Sequence, residues 1–227
     1  MRTVMITGAN GVFGRVLTSS FLKTNKWNVI ATARNIPSDE QRKNISWHTL
    51  DIRDVNQAKS IFEQGFSGNK NIDVLVNNAS AFGNGGSIVD LPIDSIKSDF
   101  DVTLLAPIIL SKLYVENAKI FGAGKIIFMS STSALPHEPD HGDYTIYASA
   151  KAGITRFSEA LNDDIGRYGM SSTVIHPCNM RDYPEDDHRL IEENAVTMES
   201  IANDIVAVAS KPKGSNTSSI VYRPNLK

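Results

Sequence analysis

Near the N-terminus, Val4-Met5-Ile6-Thr7 runs directly into Gly8-Ala9-Asn10-Gly11-Val12-Phe13-Gly14, and this stretch decides how the rest is read. A short run of Val, Ile and Thr among apolar neighbours reads as a buried strand. The glycines then allow a tight turn and let backbone amides approach a ligand closely. From Arg15 to Thr24 apolar residues recur at helical spacing. Strand, glycine turn and helix in that order form a cradle for a pyrophosphate. The helix N-terminus offers unpaired N–H groups and the positive end of its dipole. A plain structural turn is the competing reading, since glycine is a common turn residue.

Outward from that turn the same alternation continues. Further short apolar runs lie at Val29–Ala33, Ile45–Leu50, Ile72–Val76, Lys125–Met129, Thr173–His176 and Ile220–Tyr222. Several lack polar alternation, as strands buried on both faces of a parallel sheet do. Helical patterns lie at Val55–Gln64, Ile93–Ala118, Tyr147–Tyr168 and Glu199–Ser210. The alternation predicts a doubly wound α/β sheet with helices on both faces. No repeat or linker divides the 227 residues, so one domain over 1–227 is expected, with Asp182–Glu193 as an acid-rich surface insertion.

Composition narrows the function classes. The net charge is −2, which removes the electrostatic case for a nucleic-acid or anionic-membrane partner. The single cysteine, Cys178, excludes an intrachain disulfide and a cysteine-based zinc site, and suits a reducing compartment. The longest apolar run, Leu104–Leu110, contains Pro107 and falls far short of the ~20 residues a spanning helix needs. Before Gly8 there is no room for a signal-peptide apolar region. A cytoplasmic location is therefore expected.

Two further features carry chemistry. About 20 residues after Gly14, where an acid would hold the ribose hydroxyls of NAD, the chain has Ala33-Arg34 and no acid before Asp39. A guanidinium there suits a 2′-phosphate, and Arg15 offers a second cation. A solvated surface arginine is the bland alternative for each. Tyr147 and Lys151 are spaced i,i+4 and share a helix face. A neighbouring ammonium favours the phenolate and lowers a tyrosine pKa from near ~10.

The ordered set Thr7-Gly8…Gly11…Gly14, Asp51, Asn77-Asn78-Ala79, Ser130-Ser131 and Tyr147-Ala-Ser-Ala-Lys151 resembles the short-chain dehydrogenase/reductase family over about residues 1–210. The resemblance implies a seven-stranded Rossmann fold, a nicotinamide cofactor, and hydride transfer between a carbonyl and an alcohol. It implies Tyr147 as general acid/base, Lys151 as ribose-binding activator and Ser131 as the group polarising the substrate oxygen, with Ser133 as second choice. Cofactor contacts are implied at Gly8, Asn10, Gly11, Val12, Phe13, Gly14, Arg34, Asp51, Ile52, Asn78, Ala79, Ser80, Tyr147, Lys151 and Pro177. A substrate-binding region is expected around 182–198, and a homodimer or homotetramer built on the helices Ile93–Ala118 and Tyr147–Tyr168.

The chain also departs from the family. Pro177 is followed by Cys178 rather than glycine, Asp182 stands near a usual threonine, and Thr103 stands at the usual asparagine. Pro107, four residues after Thr103, lacks the N–H that would pair with the Thr103 carbonyl. This predicts a kink and a carbonyl free to hold water. His137-Glu-Pro-Asp-His141 has the letters of a zinc motif, but Pro136, Pro139 and Gly142 argue against the helix that motif needs. His176 and Cys178 share a strand face, yet a lone cysteine is more often core filler. The reading is an NADP(H)-preferring oxidoreductase acting on a small carbonyl or alcohol. A non-catalytic NADP-binding sensor is the alternative. A sugar-nucleotide epimerase or dehydratase is disfavoured, because only about 50 residues follow Pro177.

Overall fold

Strands β1 (Arg2–Thr7), β2 (Trp27–Ala33), β3 (Ile45–Thr49), β4 (Val74–Asn77), β5 (Gly124–Met129), β6 (Met170–His176) and β9 (Ser219–Val221) form a seven-stranded sheet. Its order is β3-β2-β1-β4-β5-β6-β9 and every pairing is parallel. The computed structural model describes residues 1–38, 43–68, 71–82, 86–136 and 144–224. The zinc-like letters at 137–141 and Asp39 lie outside the described residues.

Helices α1 (Val12–Lys23), α2 (Val55–Gly65), α3 (Ile93–Phe100), α4 (Ala106–Ala118), α5 (Thr145–Ile165), α6 (Arg189–Glu192) and α7 (Met198–Ser210) surround the sheet. Side chains alternate across each strand and so build two cores. Val4, Ile6, Val76 and Ile127 pack with Phe13, Leu17 and Phe21 of α1 and Ile201 and Ile205 of α7. Met5, Leu75, Ile126 and Phe128 pack with Ile61 and Phe62 of α2, Leu110 and Tyr114 of α4 and Ile154 of α5. Each such large side chain, fully buried, contributes ~1.5–3 kcal/mol. This two-sided burial is why the strands read as continuous apolar runs.

Helix starts show where backbone donors go. Asp54 accepts from the amides of Asn56 and Gln57 to cap α2, and Thr197 accepts from Glu199 to cap α7. Gly11 at the start of α1 supplies no side-chain cap, and the first turn carries no acid. The strand order reverses between β1 and β4, and ligands of doubly wound sheets bind at that point, beyond the carboxyl ends of the strands.

Two elements differ from the sequence expectation. The helix expected over Ile93–Ala118 is interrupted by a π-helical turn at Asp101–Leu105, where the Ala106 amide donates to the Asp101 carbonyl five residues back. The widened turn lets α4 start with Pro107 in its first turn, where a missing N–H costs nothing. A second, two-stranded sheet joins β7 (Asn179–Arg181) to β8 (Ala195–Thr197) in parallel. Its strands are three residues long and have no apolar run to announce them.

Candidate active site

The glycine turn sits at the end of β1. Gly8 has φ +65°, and a Cβ there would meet the Ala79 Cα at 2.9 Å. A Cβ on Gly14 would stand 2.2 Å from the Gly8 carbonyl oxygen. Both positions require glycine, which keeps the turn tight and the α1 amides open to an anion. Asn10 donates from Nδ2 to the Asn35 carbonyl at 2.8 Å, and its Oδ1 is buried without a partner. Arg15 donates to the Asn10 carbonyl at 3.1 Å. Val12 is exposed beside the turn, whereas the Phe13 side chain is buried in the α1 core, which leaves only its backbone for a ligand.

Arg34 is exposed where β2 ends, close enough to Asp51 to help lower its pKa. The Asp51 carboxylate grips Arg53 with two bonds of 3.0 and 2.6 Å, and this pairing holds it at about 2. Its other contact is the Arg53 amide at 3.0 Å. Ile52 is buried against the second core. Asn78 and Ala79 act as a brace: both amides donate to the Thr7 hydroxyl at 3.0 Å. Asn78 Nδ2 also donates to the Thr7 and Gly8 carbonyls. These bonds close the sheet at the β1–β4 reversal and fix the turn beside it. Uncapped α1 amides, glycine-only approaches, an unpartnered Asn10 oxygen and two exposed arginines together fit a dinucleotide phosphate.

The chemistry-bearing side chains converge at the end of β5 and the start of α5. Neighbouring serines on an extended backbone point opposite ways. Ser130 is buried and bonds to the Lys151 carbonyl at 3.1 Å and the Thr155 hydroxyl at 2.9 Å, fastening β5 to α5. Ser131 lies beside the Tyr147 phenol and pulls its pKa down against the effect of burial. The Ser133 amide and hydroxyl both donate to Ser131 Oγ, at 3.2 and 2.7 Å. With its lone pairs filled, Ser131 has its own proton to offer outward. Ser131 is thus the serine placed on Tyr147, and Ser133 orients it. Pro177 is buried, and its carbonyl accepts from the Thr132 amide at 3.0 Å.

Lys151 is buried, and its ammonium donates to the Met129 carbonyl at 2.6 Å, 5.4 Å from the Tyr147 ring centre. Burial pulls its pKa down to about 7. The expected lowering of the Tyr147 pKa by Lys151 is not what the geometry gives. Burial pushes the phenol up, and the opposing pull comes from Ser131. His176 is likewise buried, bonds the Ser131 carbonyl at 3.1 Å, and is shifted down by burial.

Thr103 does more than pack a helix. Its hydroxyl donates to the Ala81 carbonyl and accepts from the Ala81 amide, each at 3.2 Å, and lies 3.4 Å from Ser80 Oγ. Ser80 itself is exposed. Thr103 therefore holds the loop that carries Phe82, whose exposed ring lies 5.1 Å from Tyr147 and 5.2 Å from Tyr144. In the acid-rich segment, Asp187 pairs with Arg189, and Glu193 pairs with Arg181 and accepts from Tyr183. Two of its six acids are thus matched by arginines. Sequence reading missed Phe82, Tyr144 and Arg181, and a lone aromatic or arginine in a loop gives no signal. Among the described residues no group of three or more His, Cys, Asp or Glu is placed to hold a metal, and no helix is long and apolar enough to cross a membrane.

Known proteins are similar to this chain in sequence and fold. The chain is 30% identical over 186 residues to an uncharacterized oxidoreductase, YusZ, of Bacillus subtilis, covering 78% of this chain and 64% of that protein. It is 28% identical to a serine 3-dehydrogenase of Rhizobium radiobacter, covering 98% of this chain and 93% of that one. A solved closed form of serine dehydrogenase complexed with NADP+ superimposes with a TM-score of 0.82 at 23% identity, covering 98% and 94% of the two chains. The family described as short chain dehydrogenase matches residues 2–183, and the chain belongs to that family.

Proposed function

We propose that the protein is an NADP(H)-dependent oxidoreductase that interconverts a carbonyl and an alcohol, with Tyr147 as general acid/base. The observation that carries this reading is the Tyr147 phenol beside a Ser131 hydroxyl whose acceptor sites Ser133 already fills. The glycine turn and α1 would hold the pyrophosphate, and Arg34 with Arg15 the 2′-phosphate. When bound, the nicotinamide supplies or takes the hydride.

The chain handles the proton. In reduction, Tyr147 gives its phenolic proton to the substrate oxygen, and in oxidation it takes that proton back. Ser131 donates to the same oxygen and stabilises its developing charge. Ser133 fixes the Ser131 rotamer in advance, so little reorganisation is needed. Lys151, neutral or charged near pH 7, is poised to exchange a proton below the tyrosine and to hold ribose hydroxyls. Phe82 and Tyr144 give the substrate side of Tyr147 an aromatic wall, and the β7–β8 sheet with residues 182–198 borders the substrate region.

The test is NADPH consumption with a panel of aldehydes, ketones and quinones, beside NADPH binding by fluorescence. Tyr147→Phe should reduce turnover by ~100-fold or more, the scale of general acid/base catalysis, and leave NADPH binding intact. Binding without turnover across the panel would favour the non-catalytic sensor. Exposed Ile93 and Leu105 on the α3–α4 side also fit a homodimer or homotetramer. A light-scattering mass near 24.8 kDa at micromolar concentration would reject that assembly.

A further inference from the structure

At the amino ends of the strands, on the edge of the sheet opposite Tyr147, lies a cavity of about 380 Å³. Arg2 of β1, Lys125 of β5, and Lys211 and Lys213 of the loop between α7 and β9 line it. Asp73 is the single acid among its lining residues, and its carboxylate is engaged. One oxygen accepts from the Thr3 amide at 2.7 Å and the other from Asn71 Nδ2 at 3.4 Å.

The four cations have no such engagement. Elsewhere Lys23, Arg53, Lys112, Arg156, Arg167 and Arg189 each pair with a carboxylate. Among the described residues none of Arg2, Lys125, Lys211 and Lys213 does so. Lys211 meets the Thr217 hydroxyl, Lys213 the Phe121 carbonyl at 3.4 Å, and Arg2 lies over the Trp27 ring at 4.5 Å. Lys125 is only 7% exposed, with its ammonium on the Val208 and Ser215 carbonyls at 3.2 Å each. Burial, Arg2 and Lys211 all lower its pKa. A buried ammonium beside two like charges is unfavourable unless a negative group joins it.

We propose that this basin is a second binding site, taking a compact phosphate-bearing anion through Arg2, Lys125, Lys211 and Lys213. Four cationic side chains lining one cavity suit several phosphate oxygens through charge-assisted bonds. The volume lies within the range of small-molecule sites. From Lys125 to Ser131 the chain runs six residues along β5 and just beyond, ~20 Å of extended backbone. An anion here is therefore neither the substrate nor the cofactor of the Tyr147 site, and the proposal stands independently of the redox reading.

The experiment is a calorimetric titration of the full chain at fixed ionic strength. Inorganic pyrophosphate is used in one arm, glucose 6-phosphate in another, and sodium chloride as control. The arm that binds more tightly assigns a free or an esterified phosphate. The comparison uses Lys211→Gln/Lys213→Gln, both in the loop between α7 and β9, with folding checked by thermal melts, and Arg15→Ala/Arg34→Ala, which strips cations from the proposed cofactor cleft. The lysine pair should weaken binding at least tenfold, and the arginine pair should leave this component in place. Absence of binding beyond chloride in both arms, or a weakening of less than tenfold in the lysine pair, overturns the proposal. Because neither variant alters the buried Lys125, the result does not depend on whether Lys125→Met folds.

Discussion

Replacing Lys151 with methionine should make the protein more stable, by an amount that depends on pH. The folded-state pKa of Lys151 is lowered to about 7 from the ordinary 10.5, and the cause is burial. Between those values the unfolded chain keeps a proton on this lysine that the folded chain has mostly released. Stability must therefore rise with pH across that window, by up to ~1.4 kcal/mol per pH unit. The penalty for burying the charge is fully present below pH 7 and gone above 10.5. Methionine keeps the length of the stem and removes the titration. From pH 7.5 to 9.5 the wild type should gain about 2–3 kcal/mol relative to Lys151→Met, which closes most of the variant's advantage. Lys125 is shifted the same way and Tyr114 upward, but both are present in either protein and cancel in the difference. Urea unfolding of the two ligand-free proteins at half-unit pH steps gives the difference curve. Parallel stability profiles, with no convergence between pH 7.5 and 9.5, would refute the assignment of a depressed pKa to Lys151.

Two other expectations follow from single contacts. Arg34→Ala should weaken NADPH about 10- to 100-fold and leave NADH unchanged, because only the former offers a 2′-phosphate for a charge-assisted bond. Equal losses in fluorescence titrations of the two cofactors would contradict that role. Thr103→Ala should destabilise the fold by ~1–3 kcal/mol, since it strands the Ala81 amide and carbonyl, while Thr103→Ser should recover most of the loss. Denaturant melts within ~0.5 kcal/mol of wild type for Thr103→Ala would show that water replaces the hydroxyl without cost.

The strands and the glycine turn were legible because burial on both faces, or a positive φ, leaves few residue types to choose from. Val4–Ile6 and Ile126–Met129 are apolar for that reason, and Gly8 and Gly14 have no alternative. The i,i+4 spacing likewise brought Tyr147 and Lys151 to one helix face. What stayed hidden depends on how a side chain is used. Asp51 could be read as a cofactor contact, but its bidentate grip on Arg53 is a matter of rotamers. Asn78 is implied as a cofactor contact, but that its side-chain amide also ties the end of β4 to the turn after β1 is again a matter of rotamers. The π-helical turn was half legible. Pro107 marked the place, and the π-helical widening just before the proline is what accommodates it. The basic basin gathers positions 2, 125, 211 and 213, which no local window could connect.

The Asn10 bond to Asn35 has a consequence for how cofactor choice can change. The anchor on the far side is a main-chain carbonyl, so it survives any side chain placed at position 35. The glycine turn is thereby fastened to the end of β2 by a joint indifferent to sequence. Arg34, which projects from that joint into solvent, behaves as an exchangeable fitting on a fixed mount. With the proposed roles of the glycine turn and Arg34, selection or design can substitute residues 34 and 35 to favour one dinucleotide over another without re-engineering the pyrophosphate grip. A change at Asn10, by contrast, would loosen both functions together.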